Sequence, residues 1–254
     1  MLMELECGVT LNNLEQEIVE QRANKYGQEL SIQLVSDQLL KCKILGTYPY
    51  HVLSDDFSHP VRSYSHKIKT KVSLNTFETS VIKFIGPKRT AAARKAGLQN
   101  YLKADRRREG EMEINGIGGE LAYGKQFNLY PSEVFSVRAR SIKEDNGDFE
   151  HYGNRVDVKT TEHIDIGHLT LALWKVPENK KEYWSKIHFL TLMTGNYYLA
   201  EAHYYFCGYL SSKDMCRNKR RGYLPNTDEA QYLAEQDELT ETMCPYYETE
   251  FRLW

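Results

Sequence analysis

The stretch that most limits how this chain can fold is "GDFEHYGNRVDVKTT", residues 147–161. Side chains of a β-strand alternate between two faces. Val156 and Val158 therefore share one face, while Arg155, Asp157 and Lys159 share the other. A Tyr-Gly-Asn turn separates this run from a shorter one opening at Asp148, so the segment reads as a hairpin. The valines suit a core. Asp157 and Lys159 then project side by side from the opposite face. Asp148, nine residues before Asp157, stands on the neighbouring strand within reach of the same cation.

A D-x-K or E-x-K tripeptide turns up by chance about once in a chain this long, so Asp157 and Lys159 carry little weight alone. The chain holds its own decoy, Glu178 to Lys180, which follows Pro177 in a polar loop without strand alternation. What separates 157–159 from the decoy is Asp148 and a third acid upstream. Glu120 lies in a predicted helix, "EMEINGIGGELAYGKQFNLYP", where Ile114, Ile117 and Leu121 form an apolar stripe and Glu120 falls near its edge. Gly116, Gly118 and Gly119 weaken that helix, which makes sense if it must approach a sheet closely.

Two segments are expected. The first, residues 1–87, is an accessory region of unassigned role, with a helix over 11–27 and strand-like alternation over 64–86 closed by Gly86-Pro87. The second, residues 88–254, begins with a basic, alanine-rich helix and the helix bearing Glu120. It continues with a strand at 133–142, the hairpin, and strands at 186–195 and 200–212. Helices, then consecutive strands, then mixed elements predict an α/β core whose sheet is largely antiparallel in its middle. Lys and Arg total 33 against 35 Asp and Glu, so overall charge does not advertise a polyanion partner. The 5 cysteines are scattered without a C-x-x-C pair, as in reduced, intracellular proteins. The N-terminus lacks the positive charge of a signal peptide, and no run of 18 apolar residues exists to span a bilayer. A soluble cytoplasmic protein is expected.

Several enzyme classes find no support. The glycines at 116, 118 and 119 do not complete G-x-G-x-x-G, because Leu121 stands where the third glycine belongs. There is no G-x-x-x-x-G-K-[ST] loop, no G-x-S-x-G elbow and no H-E-x-x-H pair. His163 and His168 flank "IDIG" at an interval unlike that of metal ligands.

A helical glutamate, an aspartate opening a hairpin, and D-x-K on the next strand resemble the signature order of the PD-(D/E)XK, restriction-endonuclease-like nuclease superfamily. The run "GIGGELAYGKQF…GDFEHYGNRVDVKTT" is similar to the small nuclease-like proteins of this group encoded by phage genomes. The likeness covers roughly residues 110–212; Gly147 replaces the signature proline, and the third motif begins with Asp157 rather than a glutamate. The resemblance implies a restriction-endonuclease-like core, a central mixed sheet flanked by helices, with an N-terminal α+β extension. It implies hydrolysis of phosphodiester bonds in nucleic acid, DNA first, with Mg²⁺ as cofactor and Mn²⁺ as a substitute. Asp148, Asp157 and the Val158 carbonyl would hold the metal, Glu120 would bind a second ion or a water, and Lys159 would orient the attacking water.

Nucleic-acid contacts are expected from local clusters: Lys88, Arg89, Arg94, Lys95, Arg106, Arg107 and Arg108 before the catalytic helix, and Arg220 with Arg221 later. Such groups supply affinity without sequence readout. A homodimer is compatible with this reading, a membrane is not expected, and a virus-encoded chain would act in the host cytoplasm. The competing reading is a nuclease fold that binds nucleic acid or serves structurally without turnover.

Overall fold

The protein, as a computed structural model, is described over residues 9–26, 31–54, 71–97, 109–137, 147–162, 170–173, 186–197, 202–217, 221–222, 231–235 and 238–243. The elements begin with α1 (Asn13–Tyr26), α2 (Ile32–Leu45), α3 (Tyr50–Leu53), β1 (Lys71–Leu74), α4 (Thr76–Lys95) and α5 (Glu109–Phe127). They continue with β2 (Phe149–His151), β3 (Asn154–Thr161), β4 (Thr170–Leu173), β5 (Phe189–Asn196) and β6 (Ala202–Ser211). A short α6 (Ser212–Arg217), β7 (Arg221–Gly222) and β8 (Gln231–Glu235) complete the series.

Helix starts follow capping chemistry. Asn12 and Glu15 exchange side-chain-to-backbone hydrogen bonds at the start of α1, and Asn75 with Glu78 does the same for α4. Those reciprocal bonds satisfy amide groups that the first turn leaves without partners. The strand alternation expected over 64–86 is corrected by this cap. Phe77, Val81, Ile82 and Ile85 are all buried at helical spacing, and α4 continues through Gly86 and Pro87 to Lys95. Its β-branched residues had mimicked a strand, while the period was that of a helix. Only β1 is extended there, and residues 64–70 lie outside the described part. The basic helix expected from residue 88 is thus the second half of α4, and residues 98–108 lie outside the described part.

A five-stranded mixed sheet has the order β1-β6-β5-β3-β2. The sheet is mixed and largely antiparallel, as expected: β3 and β5 run parallel, while the remaining neighbours are antiparallel. The strand expected at 133–142 is instead a turn over 132–135, followed by residues outside the described part beyond 137. The carbonyls of Glu133 and Ser136 are taken by the Arg89 guanidinium rather than by a ladder partner. The boundary expected between 87 and 88 falls inside α4, and one buried cluster joins Ile18, Leu39 and Val72 to Ile117, Val156 and Tyr204.

That cluster lies on the sheet face carrying Val156, Val158, Phe189 and Met193, covered by α4 and α5. The opposite face holds a smaller cluster of Leu190, Leu192, Cys207 and Leu210 with Met215 of α6, Ala234 of β8 and Leu239. A bulge opposite Leu192 and Met193 lets both Phe206 and Tyr209 of β6 join the first cluster.

The helix glycines divide sharply by position. A Cβ at Gly119 would collide with Thr160 of β3 and one at Gly118 with the Tyr204 ring of β6, whereas a Cβ at Gly116 meets nothing within 4 Å. Close helix-to-sheet approach thus explains 118 and 119 but not 116. Gly116→Ala is expected to stabilise the protein by about 1 kcal/mol through helix propensity. Gly119→Ala is expected to destabilise it by about 1–3 kcal/mol through overpacking. Urea denaturation of the two variants checks this opposition of sign, and a stabilising Gly119→Ala would refute the close approach.

Candidate active site at the edge of β3

The hairpin brings Asp148 onto the D-x-K tripeptide. The paired part of β2 ends at Phe149 opposite Val156. Beyond that point the Asp148 backbone N–H donates to the Val156 carbonyl at 2.9 Å, and Asp148 Oδ2 accepts the Val158 N–H at 2.8 Å. The carboxylate therefore replaces a ladder partner at the edge of β3. A strand residue directs its N–H and C=O to the same edge, so the Val158 carbonyl opens beside the same carboxylate.

Asp157 points to the other face of the sheet from Val156 and Val158, as alternation predicts, but solvent does not cover it. It is 5% exposed, and its register neighbours on β5 are Leu190 for Asp157 and Leu192 for Lys159, both buried in the smaller cluster. Oδ2 of Asp157 is buried without a hydrogen bond. The Lys159 ammonium lies against it as an ion pair, a contact that lacks hydrogen-bond alignment. Desolvating a carboxylate costs several kcal/mol, incompletely offset by one partly exposed ammonium.

Glu120 is placed differently. Its neighbour Gly119 abuts Thr160, which shares the face of Val156 and Val158, so α5 covers the face opposite to Asp157 and Lys159. Glu120 is held by Arg89, whose Nη1 lies 3.2 Å from Oε2 and 3.3 Å from Oε1. The side chains are 13% and 11% exposed. Among the described residues no three His, Cys, Asp or Glu side chains gather as a metal-holding group; Asp148 is hydrogen-bonded to the tripeptide, and Glu120 is paired with Arg89.

Oxygen donors of the remaining set nevertheless suit a hard divalent cation. Asp148, the Val158 carbonyl edge and the buried, hydrogen-bond-free oxygen of Asp157 are the kind of ligands that Mg²⁺ takes together with water. In donor type these residues suit such an ion, and Oδ2 of Asp157 lies against the Lys159 ammonium.

The basic clusters are only partly as expected. Arg89, predicted to contact phosphate, is instead drawn inward by Glu120 and by the carbonyls of Glu133 and Ser136. Lys88 pairs with Glu17 at 2.7 Å and sits over the Phe84 ring. Arg94 and Lys95 are exposed in the last turn of α4. Arg106, Arg107, Arg108 and Arg220 lie outside the described residues, as does the side chain of Arg221; His163 and His168 lie outside as well.

Sequence reasoning missed a buried polar group behind the hairpin. The Tyr123 hydroxyl lies 2.7 Å from His151 Nδ1 and 3.1 Å from the Tyr209 hydroxyl. Burial pushes the Tyr123 hydroxyl well above the ordinary tyrosine range, reinforced by Tyr209, and burial also raises Tyr209. Both hydroxyls keep their protons and brace β2, α5 and β6 together. The only sequence signal was alternation that placed Phe149 and His151 on one face of β2.

Among the described residues no helix is long and apolar enough to cross a membrane. Compared with protein families, curated proteins and solved structures, the chain matches no family model, no curated protein and no solved structure.

Proposed function

We propose that the chain is a metal-dependent nuclease of the PD-(D/E)XK kind that hydrolyses phosphodiester bonds, DNA first, with Mg²⁺ or Mn²⁺ as cofactor. The observation that carries this reading is the 2.8 Å hydrogen bond from the Val158 N–H to Asp148 Oδ2. It seats an acid from the neighbouring strand on the tripeptide that holds Asp157 and Lys159. The same proposal includes the finer fold assignment, a restriction-endonuclease-like core formed by α5, the β2–β3 hairpin and the parallel β3–β5 pair.

Asp148, Asp157 and the Val158 carbonyl would hold the ion. When bound, the cation supplies Lewis-acid polarisation of a phosphoryl oxygen. The chain's own groups do the rest. Lys159 places a positive charge beside the reacting phosphate and orients the incoming water, where negative charge develops in the transition state. Asp148, fixed by the Val158 N–H, keeps the hairpin edge in register. The two leucines of β5 exclude water from one side of Asp157, which strengthens each charge interaction there.

One observation favours a second reading, a nuclease fold that binds nucleic acid without turnover: Glu120 is engaged by Arg89 rather than by the other acids. Incubation of purified protein with linear, circular and single-stranded DNA and with RNA, in Mg²⁺, Mn²⁺ or EDTA, decides between them. Metal-dependent cleavage is expected. Binding without cleavage of any of these substrates would leave the second reading standing.

A further inference from the structure

The connection between β2 and β3 consists of Tyr152 with φ 51° and Gly153 with φ 73°. Two positive φ values in a two-residue loop are the geometry that Asn-Gly ordinarily fills. Glycine adopts it without steric cost. A tyrosine does not, because a bulky side chain at positive φ is a conformational outlier that costs on the order of 1 kcal/mol or more. The strained residue is also 75% exposed, so it returns little by burial. Backbone outliers of this kind cluster at ligand-binding and active sites.

The ring is mounted rather than loose. It stacks on the His151 imidazole with centroids 4.4 Å apart and planes 24° from parallel. His151 is itself buried and fixed through Nδ1 by the Tyr123 hydroxyl, with Phe127 packed against its ring. A buried brace thus presents one flat, amphipathic ring to solvent. At the outer end of the hairpin, exposed Arg155 faces exposed Glu150 across the strands, so the charges at the tip oppose each other. Affinity here would come from a π face more than from phosphate attraction.

Tyr152 sits on the same hairpin as both aspartates. At roughly 3.3 Å per residue, Tyr152 is on the order of 15 Å along the strands from Asp148 and Asp157, a few nucleotides of an extended strand; its ring stacks on His151, which packs against α5, whereas Asp157 faces the other side of the sheet. We propose that Tyr152 is a stacking platform for an unpaired nucleobase, so that the site takes single-stranded or locally opened nucleic acid. Base stacking on an aromatic ring tolerates any sequence, because every base has a π face. This inference rests on the nuclease reading for its substrate and not for its geometry.

Fluorescence anisotropy of short labelled oligonucleotides in EDTA tests it, with single-stranded DNA, single-stranded RNA and duplex DNA as separate arms. Tyr152→Asn, which suits the positive-φ turn, is expected to weaken single-strand binding by about 5- to 100-fold, the loss of one base stack. It should leave duplex binding and the melting temperature unreduced. Tyr152→Phe should bind single strands within about twofold of wild type, since the ring remains. Equal single-strand affinity for wild type and Tyr152→Asn would overturn the platform. If wild type also cleaves with Mg²⁺, only the platform falls; if single-strand binding depends on Tyr152 but nothing is cleaved, only the nuclease reading falls. Failure to bind any oligonucleotide overturns both.

Discussion

Asp157→Asn is expected to abolish Mg²⁺-dependent cleavage while leaving the metal-free protein as stable as wild type or more stable. The amide keeps the shape of the side chain and removes a charge that sits 5% exposed beside Leu190 and Leu192 with one oxygen lacking a hydrogen bond. Functional sites commonly hold such destabilising groups, and neutralising them raises stability as it removes activity. Loss of the ion should be visible without any assay of turnover. A ligand at 100 times its Kd stabilises the native state by about 2.7 kcal/mol, which for a chain of this size is roughly 5–10 °C in Tm. Wild type should show such a shift on adding Mg²⁺, and Asp157→Asn should not. Lys159→Ala is expected to behave differently: it leaves a buried carboxylate without its cation, so metal-free Tm falls, and cleavage drops by about 10²–10³-fold. Combining Asp157→Asn with Lys159→Met should recover stability without recovering cleavage. Undiminished cutting by Asp157→Asn or Lys159→Ala would remove this site from consideration.

The parts of this arrangement that were legible in the sequence are those governed by local period. Alternation in "NRVDVKTT" assigned Val156 and Val158 to the core, and the Tyr-Gly turn brought Asp148, just before β2, back beside β3. Local period does not report what covers the second face of a strand, where Leu190 and Leu192 of the smaller buried cluster stand beside Asp157 and Lys159. Nor does it report partners far apart in sequence. Arg89 and Glu120 are 31 positions apart. In isolation the arginine reads as a phosphate contact and the glutamate as a metal ligand, whereas together they satisfy each other. α4 shows the complementary failure: Val81, Ile82 and Ile85 have strand-forming shapes, and the deciding signal was the Asn75–Glu78 cap five or so residues upstream. Parallel pairing of β3 with β5 left no local mark at all, since it depends on the path of the intervening chain.

The largest effect on stability is expected from a pair that no motif announced. Lys125 of α5 places Nζ 2.8 Å and 3.0 Å from the two oxygens of Glu78 and 3.0 Å from the Ser73 carbonyl. Glu78 is 0% exposed; it also accepts the Tyr48 hydroxyl at 2.5 Å and the Asn75 N–H at 2.8 Å, so one carboxylate both caps α4 and anchors α5. Lys125→Met keeps the aliphatic stem and deletes the cation. Breaking one side of a buried pair typically costs about 3–5 kcal/mol because the remaining charge is stranded, which corresponds to a Tm lower by roughly 6–20 °C. Lys88→Met, at an ion pair that is well exposed on both sides, should change stability by less than about 1 kcal/mol and serves as the control. Adding Glu78→Gln to Lys125→Met should return part of the loss, since the stranded charge disappears even though the cap is weakened. The pair also ties β1 and α4, from the first 87 residues and just beyond, to the helix that lies over the β3–β5 pair. A buried cluster running from Ile18 to Tyr209 does the same through apolar contact. Chemical denaturation should therefore show one transition for wild type, and Lys125→Met should lower its midpoint without splitting it or changing its slope. A second transition appearing in the variant would show that residues 1–87 and the sheet they border unfold independently once this tie is cut.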